Sequence, residues 1–502
     1  MAAASSGERM ACAPPIDVCS ARRCNGTRCR LLTDVCIVNE TIHHRPQRGG
    51  PWSILSATAR VPWNSHHILR LDELNADSHP QLPADLGALK MQDTSCAPPV
   101  AFVPVWSLNY GETFLSTIVP LFEMEQHGVV APKRATQLIV DVMHKHMHAK
   151  CRSNMNTPCH TPRWFQVLVD HVSPVTFMHE LAPACGGDSF STTPCVPRCF
   201  THLRYCTLRS IFDRQPQRLD VWHEAQKLAV RVLSRQDHSA SFAVTATASA
   251  SADAAGDEAS GALATIADPD GSGRRRTVLR VLIERRVGHG MSGRTFANAN
   301  SLVEHCAEFA RRREYVHRGD EQQKQPLELG VVLECTLHEF GRAGLAEDLR
   351  RVRAVDVLVG MHGAGLTNAF FMRRRSALIE VRPYGFDGTW PDSYYRNILR
   401  LTPTPKIYHM ALSIGSPELC HPSHNGYAIS IQTASMAKRC TLPWLALLRA
   451  LRMVAWWRQP GYGRRPELTS DQRYIQGSWA SKNIWAYLDD LEEPNSTSFS
   501  GR

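Results

Sequence analysis

Val355-Asp-Val-Leu-Val-Gly-Met-His-Gly-Ala-Gly-Leu-Thr-Asn-Ala-Phe-Phe-Met372 changes character twice along its length. Its first five residues are aliphatic and β-branched apart from Asp356, as a strand buried on both faces of a parallel sheet must be. From Gly360 the chain turns small and glycine-rich, and from Leu366 it is compatible with a helix. Glycines at 363 and 365 allow a ligand close to the backbone, and the helix start that follows offers unpaired N–H groups and a positive dipole end. A diphosphate suits that turn. His362 is expected to donate to a phosphate oxygen, and Thr367 and Asn368 to add side-chain donors. The plain alternative is a tight strand-to-helix turn in which His362 packs or caps.

Working outward, the flanking elements alternate. Thr277–Ile283 reads as a buried strand, 302–310 as a helix, Gly330–Cys335 as a strand, 344–355 as a helix and Ser376–Val381 as a strand. Strand and helix at this spacing imply βαβ units and a parallel sheet. Upstream, apolar runs at 100–106, 113–122, 137–143 and 164–172 predict a first α/β domain. Between the two lies a Ser/Ala/Thr-rich stretch from Ser239 to Gly273, unable to bury enough apolar surface to offset its chain entropy. The expected organisation is an irregular stem over 1–95, a first α/β domain over 96–235, a linker over 236–276, a second α/β domain carrying the glycine turn over 277–430 and a helical segment over 431–502. Leu442–Trp457 carries Arg449 and Arg452 and is too short to span a bilayer, so it reads as an amphipathic, partly buried helix.

The turn has a rival interpretation. Gly363-Ala-Gly365 followed by Glu380 at the end of the next strand mimics part of a dinucleotide fingerprint, in which the acid grips a ribose. Asn368 stands where the third glycine belongs, and the turn lies deep in the chain. An NAD-type oxidoreductase is therefore the second reading, and a catalytically inactive nucleotide-sugar-binding protein the third. In a sugar-nucleotide site Glu380 keeps the same ribose role.

Bulk properties narrow the field. The 502 residues carry 57 Lys+Arg against 47 Asp+Glu, a net charge of +10, which suits phosphate-bearing ligands. Arg runs at 274–276, 311–313 and 373–375 lack any helix-turn-helix, zinc-finger or RNA-binding signature, which argues against nucleic acid. Sixteen cysteines, clustered at 12–36 and 185–206, favour disulfides in an oxidising compartment; no Cys-x-x-Cys pair supports zinc. N-x-S/T acceptors at Asn25, Asn39 and Asn495 fit a lumenal protein. Residues 1–15 hold no signal-peptide core or anchor, so membrane association is expected only if an anchor is missing from an N-terminus shortened here.

Residues 356–372 with Leu378-Ile-Glu-Val-Arg-Pro383 resemble glycosyltransferase family 61, which includes plant xylosyltransferases and animal transferases that add N-acetylglucosamine to EGF domains or to O-mannose. Leu282-Ile-Glu-Arg-Arg286, then Arg294-Thr-Phe-Ala-Asn298, is similar to that family's strand ending in Arg and its following Arg-x-x-x-Asn. Asn109–Phe122 resembles its helix near the cleft, although many relatives carry His where this chain has Glu112 or Thr113. The resemblance implies two facing Rossmann-like domains of the GT-B type, with a UDP-sugar held by the second and the acceptor by the first. It also implies inverting transfer of xylose, N-acetylglucosamine or arabinose to a glycan or glycoprotein in the Golgi or endoplasmic reticulum. Arg285 (or its neighbour Arg286), Arg294, Asn298, His362, Gly363, Ala364, Gly365, Leu366, Thr367, Asn368 and Glu380 are the expected donor residues. Glu112 is the expected base, with Asn109 or the pair His179 and Glu180 as alternatives. Asp141, His144 and His148 share one helix face but are expected to be a wet helix end, so no obligatory divalent metal or other cofactor is expected.

Overall fold

The computed structural model describes residues 28–38, 41–45, 53–59, 69–75, 92, 98–103, 110–126, 137–140, 175–181, 198–207, 221–241, 265–267, 275–286, 294–312, 315–316, 329–384, 386, 394–395, 399, 407–414, 416–421 and 438–458. The chain divides into two compact units, residues 1–219 and 220–502.

The first unit is built on an eight-stranded sheet of β1 (Arg28–Val38), β2 (Thr41–His44), β3 (Ser53–Ala59), β4 (Leu69–Asn75), β5 (Val100–Val103), β6 (Leu138–Val140), β7 (Val175–Phe177) and β8 (Arg198–Thr207), in the order β4-β3-β2-β1-β8-β5-β6-β7. β1 to β4 form an antiparallel meander, and β8, β5, β6 and β7 run parallel. After β5 come α1 (Tyr110–Thr113), a π turn (Phe114–Ile118) and α2 (Val119–Gln126), which bury Phe114, Leu115, Ile118, Leu121 and Phe122. α3 (Met178–Leu181) follows β7.

Strands β1 to β4 therefore correct the expectation of an irregular stem. β1 buries Leu32, Val35 and Ile37 and pairs antiparallel with β8, with Cys29 opposite Cys206 and Cys36 opposite Cys199. Both pairs are disulfide-bonded. The two cysteine clusters legible in the sequence thus staple the N-terminal meander to the parallel strands.

The second unit begins with α4 (Val221–Ser241), a helix expected as far as residue 235 in the preceding domain. β9 (Thr265–Ala267) lies within the expected linker and pairs with β10 (Arg275–Glu284). The remaining elements are β11 (Thr295–Phe296), α5 (Ala299–Arg312), β12 (Tyr315–Val316), β13 (Leu329–His338), α6 (Leu345–Arg353), β14 (Val357–Met361), a 3-10 helix (Ala364–Phe371), β15 (Ser376–Arg382), β16 (Ile407–Ser413), a 3-10 turn (Pro417–Leu419), β17 (Cys420–His421), β18 (Arg439–Cys440) and α7 (Trp444–Trp457). β13, β10, β14, β15 and β16 lie side by side and parallel. Every residue of β14 and β15 is buried, so both faces of these strands are covered.

In chain order those five strands stand second, first, third, fourth, fifth. The order reverses between β10 and β14, and in open parallel sheets ligands bind at the carboxyl ends of the strands flanking such a reversal. Glu284 ends β10, and Met361 ends β14 immediately before His362-Gly-Ala-Gly365. Topology alone therefore points to the glycine turn.

Surrounding elements hold the turn from below. Trp222 Nε1 donates to the Met372 carbonyl at 3.0 Å, and Gln226 Nε2 to the Phe370 and Met372 carbonyls at 3.2 and 3.0 Å. These bonds satisfy carbonyls at the end of the 3-10 helix and explain why α4 folds with the second unit. α7 buries Leu447, Leu451 and Val454 in the core of this unit. Just past it, Arg458 is anchored to Asp356 at 2.9 Å, with Asp356 Oδ2 also accepting Arg280 N–H at 2.9 Å. No helix among the described residues is long and apolar enough to cross a membrane.

Candidate functional site

β10 ends in the apolar run Val281-Leu-Ile283 followed by Glu284, whose carboxylate lies almost wholly buried. Arg286 Nε donates to Glu284 Oε1 at 2.9 Å. Burial raises the Glu284 pKa, against the pull of Arg286 and Arg294. This pair packs directly on the glycine turn: a Cβ on Gly365 would run into the Glu284 carboxylate, and one on Gly363 into the Arg286 guanidinium. The glycines thus admit the protein's own ion pair against the backbone, where the sequence suggested only room for a ligand.

The turn is locked by its own groups. Leu366 N–H donates to the Gly363 carbonyl at 3.0 Å, the Tyr395 hydroxyl donates to that same carbonyl at 2.5 Å, and Asn368 Nδ2 donates to the Gly365 carbonyl at 2.9 Å. Leu366, Thr367 and Asn368 are buried, while Ala364 and Gly365 keep partial exposure. The first three therefore build the turn; Asn368 is not a side-chain donor held out to a ligand. The helix expected here is a 3-10 helix, its first bond reaching three residues back instead of four.

Glu380 corrects a second expectation. It is fully buried and accepts from His362 Nδ1, from His409 Nε2 at 2.7 Å and from Arg382 Nε and Nη2 at 3.3 Å each. A carboxylate so enclosed cannot grip a ribose, which also removes the feature that favoured a dinucleotide. Although burial would raise its pKa, Arg382, His362 and His409 hold Glu380 well below the usual carboxylate range. The carboxylate is ionised and accepts a hydrogen bond from His362 Nδ1–H, fixing the ring's tautomer and orientation.

His362 is itself buried among Phe386, Tyr394 and Tyr395, whose centroids lie 4.7, 5.7 and 5.6 Å from its ring. Burial lowers its pKa to about 4, in spite of Glu380. At neutral pH the imidazole is uncharged with its proton on Nδ1, so Nε2 carries a lone pair. In this tautomer Nε2 has no proton to give, so the expected donation to a phosphate is not available from it.

Arg294, just before β11, lies with its guanidinium 5.3 Å from the centroid of the Phe386 ring. Burial, and after it Arg286, lowers its pKa to about 10, so it stays charged at neutral pH. Its Nε and Nη1 are buried with no hydrogen-bond partner. Buried donors on a cation are costly to leave unmade. Arg286 and Arg294 face one carboxylate, Glu284, and the excess is positive.

Two other expected donor residues fall elsewhere. Arg285 is exposed, because side chains alternate across the sheet as β10 ends, and Arg286 takes the inward place. Asn298 donates from Nδ2 to the Leu442 carbonyl at 2.8 Å and accepts Leu442 N–H at 3.0 Å on Oδ1. It tethers the start of α5 to the approach to α7. Glu112 lies in α1 and His179 and Glu180 in α3, but their side chains are outside the described residues, as are Asn109, Asp141, His144 and His148. The sequence reading missed Glu284, Tyr395 and Phe386. Glu284 alone left a signal, an acid directly after the apolar run Val281–Ile283 at a strand end.

A family model, Glycosyltransferase 61, matches residues 97–379, more than half of the chain. The chain belongs to glycosyltransferase family 61. No curated protein matches it. The protein is thus a glycosyltransferase, and such an enzyme needs a sugar donor and an acceptor to receive the sugar. The family match takes in the glycine turn, Glu284, Arg286 and Arg294 and ends one residue before Glu380. Four disulfides among the described residues, the two above with Cys306–Cys335 and Cys420–Cys440, fit an oxidising, lumenal setting for this family 61 member.

Proposed function

We propose that the second unit binds a UDP-sugar with its diphosphate on Arg294 and Arg286 above the Gly363–Gly365 turn, and that the sugar passes with inversion to a glycan or glycoprotein in the Golgi or endoplasmic reticulum. The single observation that carries this reading is the buried Arg294 guanidinium, charged and with two unmade donors, at the carboxyl-end reversal point of the parallel sheet. A leaving diphosphate gains charge in the transition state, and fixed cations aimed at it lower the barrier.

In this scheme Arg286, pinned by Glu284, is the second phosphate contact, and Glu380 acts on the ligand through His362. His362, oriented by Glu380, packs on the Phe386 ring that lies against Arg294. The proposal takes the enzyme to be of the GT-B type, the first unit supplying the acceptor side and its base, for which Glu112 stays the proposed residue. Xylose, N-acetylglucosamine and arabinose are the candidate donor sugars. We further propose that turnover needs no divalent metal, the cations of the site neutralising the diphosphate.

The test is a hydrolysis and transfer screen over UDP-sugars, with and without chelator, on the unaltered chain and on Arg294→Ala and His362→Ala. Consumption of one UDP-sugar that survives chelation and falls at least about tenfold in both variants supports the proposal. Variants that match the unaltered chain overturn the site, and complete loss in chelator overturns the metal-free scheme. A chain that binds UDP-sugar but never turns it over would be an inactive binding protein.

A further inference from the structure

Lys438 is buried, and its Nζ has no hydrogen-bond partner. The ammonium lies 4.8 Å from the centroid of the Tyr384 ring. Tyr384 and Phe386 belong to one turn, closed by Phe386 N–H donating to the Pro383 carbonyl at 3.0 Å. Phe386 is the ring that carries Arg294. The backbones of the two cations are also neighbours: Thr295, next to Arg294, pairs in parallel register with Arg439, next to Lys438. Thr295 N–H donates to the Lys438 carbonyl at 3.4 Å.

Two adjacent strands therefore deliver two cations to two rings of a single turn, and both cations keep buried donors unmade. An aromatic face attracts a cation but gives its N–H groups no acceptor. Of the nearby buried carboxylates, Glu380 is taken by His362, His409 and Arg382, and Glu284 gives Oε1 to Arg286 while neither Arg294 nor Lys438 bonds its Oε2. An anion with two charged groups would satisfy a pair of cations that a single phosphate would satisfy only by half.

We propose that Lys438 is a further cation of the donor site, contacting the diphosphate of the nucleotide sugar beside Arg294. This rests on the donor-site reading above. It makes Lys438 a binding residue that senses the second phosphate, and it gives the pair of short strands, β11 and β18, a role in the donor site.

The test titrates the full chain and Lys438→Met with UDP and with UMP by calorimetry, and follows thermal unfolding of both without ligand. Replacing a buried, unpartnered charge with an apolar side chain of similar volume is expected to leave the melting temperature unchanged or raised. UDP should bind about 10- to 100-fold more weakly to the variant, the size of one charge-assisted hydrogen bond, and UMP no more than about threefold more weakly. If the unaltered chain binds UDP and the variant binds both nucleotides equally well, the inference falls while the donor site stands. A variant that melts lower and loses both nucleotides alike assigns Lys438 a packing role and overturns the inference. An unaltered chain that does not bind UDP overturns the donor-site reading and this inference together.

Discussion

Exchanging Glu380 for Gln keeps its shape and removes its charge. In the folded chain that carboxylate is fully buried and is the acceptor for three partners, His362, His409 at 2.7 Å and Arg382 at 3.3 Å. An amide offers one acceptor oxygen where the carboxylate offers two, turns an NH₂ toward a donor, and leaves Arg382 charged and buried without its counter-ion. Removing one partner of a buried pair costs about 3–5 kcal/mol. At roughly 2–4 °C per kcal/mol for a unit of this size, the melting temperature should fall by about 6–20 °C. Glu347→Gln is the matched control. That carboxylate also pairs with two arginines, Arg351 at 2.7 Å and Arg350 at 3.5 Å, but at the surface of α6. Exposed pairs contribute about 1 kcal/mol or less, so the control should fall by no more than about 4 °C. The assay is a thermal scan of both variants at neutral pH, read alongside UDP binding, which should weaken for Glu380→Gln as His362 loses its orientation. If the two variants melt together, the buried network is not what holds the turn, and the reasoning fails.

Acid should act through His362. Its folded pKa of about 4 lies below its ordinary 6.5, so between those values the unfolded chain takes up a proton that the folded chain refuses. Stability should therefore fall as pH drops from about 6.5 to about 4, by up to roughly 3 kcal/mol at about 1.4 kcal/mol per unit; urea unfolding across that range should show the slope, and His362→Phe should flatten it. Arg286→Ala should lose UDP binding by about tenfold or more whereas Arg285→Ala should bind as the unaltered chain does, because only Arg286 reaches the turn; equal losses in calorimetry would refute that assignment. Gly365→Ala places a methyl 2.9 Å from Glu284 Cδ, and should cost about 1–3 kcal/mol of overpacking in a denaturant titration, with UDP binding lost along with the displaced pair; an unchanged unfolding midpoint would count against the packing described.

Much of the second unit was legible because its strands each contain a short aliphatic run, so β10, β13, β14 and β15 fall close to their expected places. The first four strands were hidden. Arg28–Val38 mixes Arg, Thr and Asp with Leu and Val, and it becomes a strand through pairing with β8 across some 160 residues, a constraint that local pattern does not carry. Within the site, the glycine turn was visible because glycine is irreplaceable where side chains press on backbone. What pressed there was not visible, since Glu284 and Arg286 meet the turn through sheet order alone. Glu380 was legible as an acid at a strand end but not as a buried hub, which depends on Arg382 in its own strand and on His409 in the next.

Calorimetric titration of the full chain and of Arg294→Ala with UDP tests the donor site most directly. The account predicts saturable one-to-one binding to the unaltered chain, weakened by about 10- to 100-fold in the variant, with no binding of NAD to either. Equal UDP affinity in the two proteins, or NAD binding in preference to UDP, would contradict it.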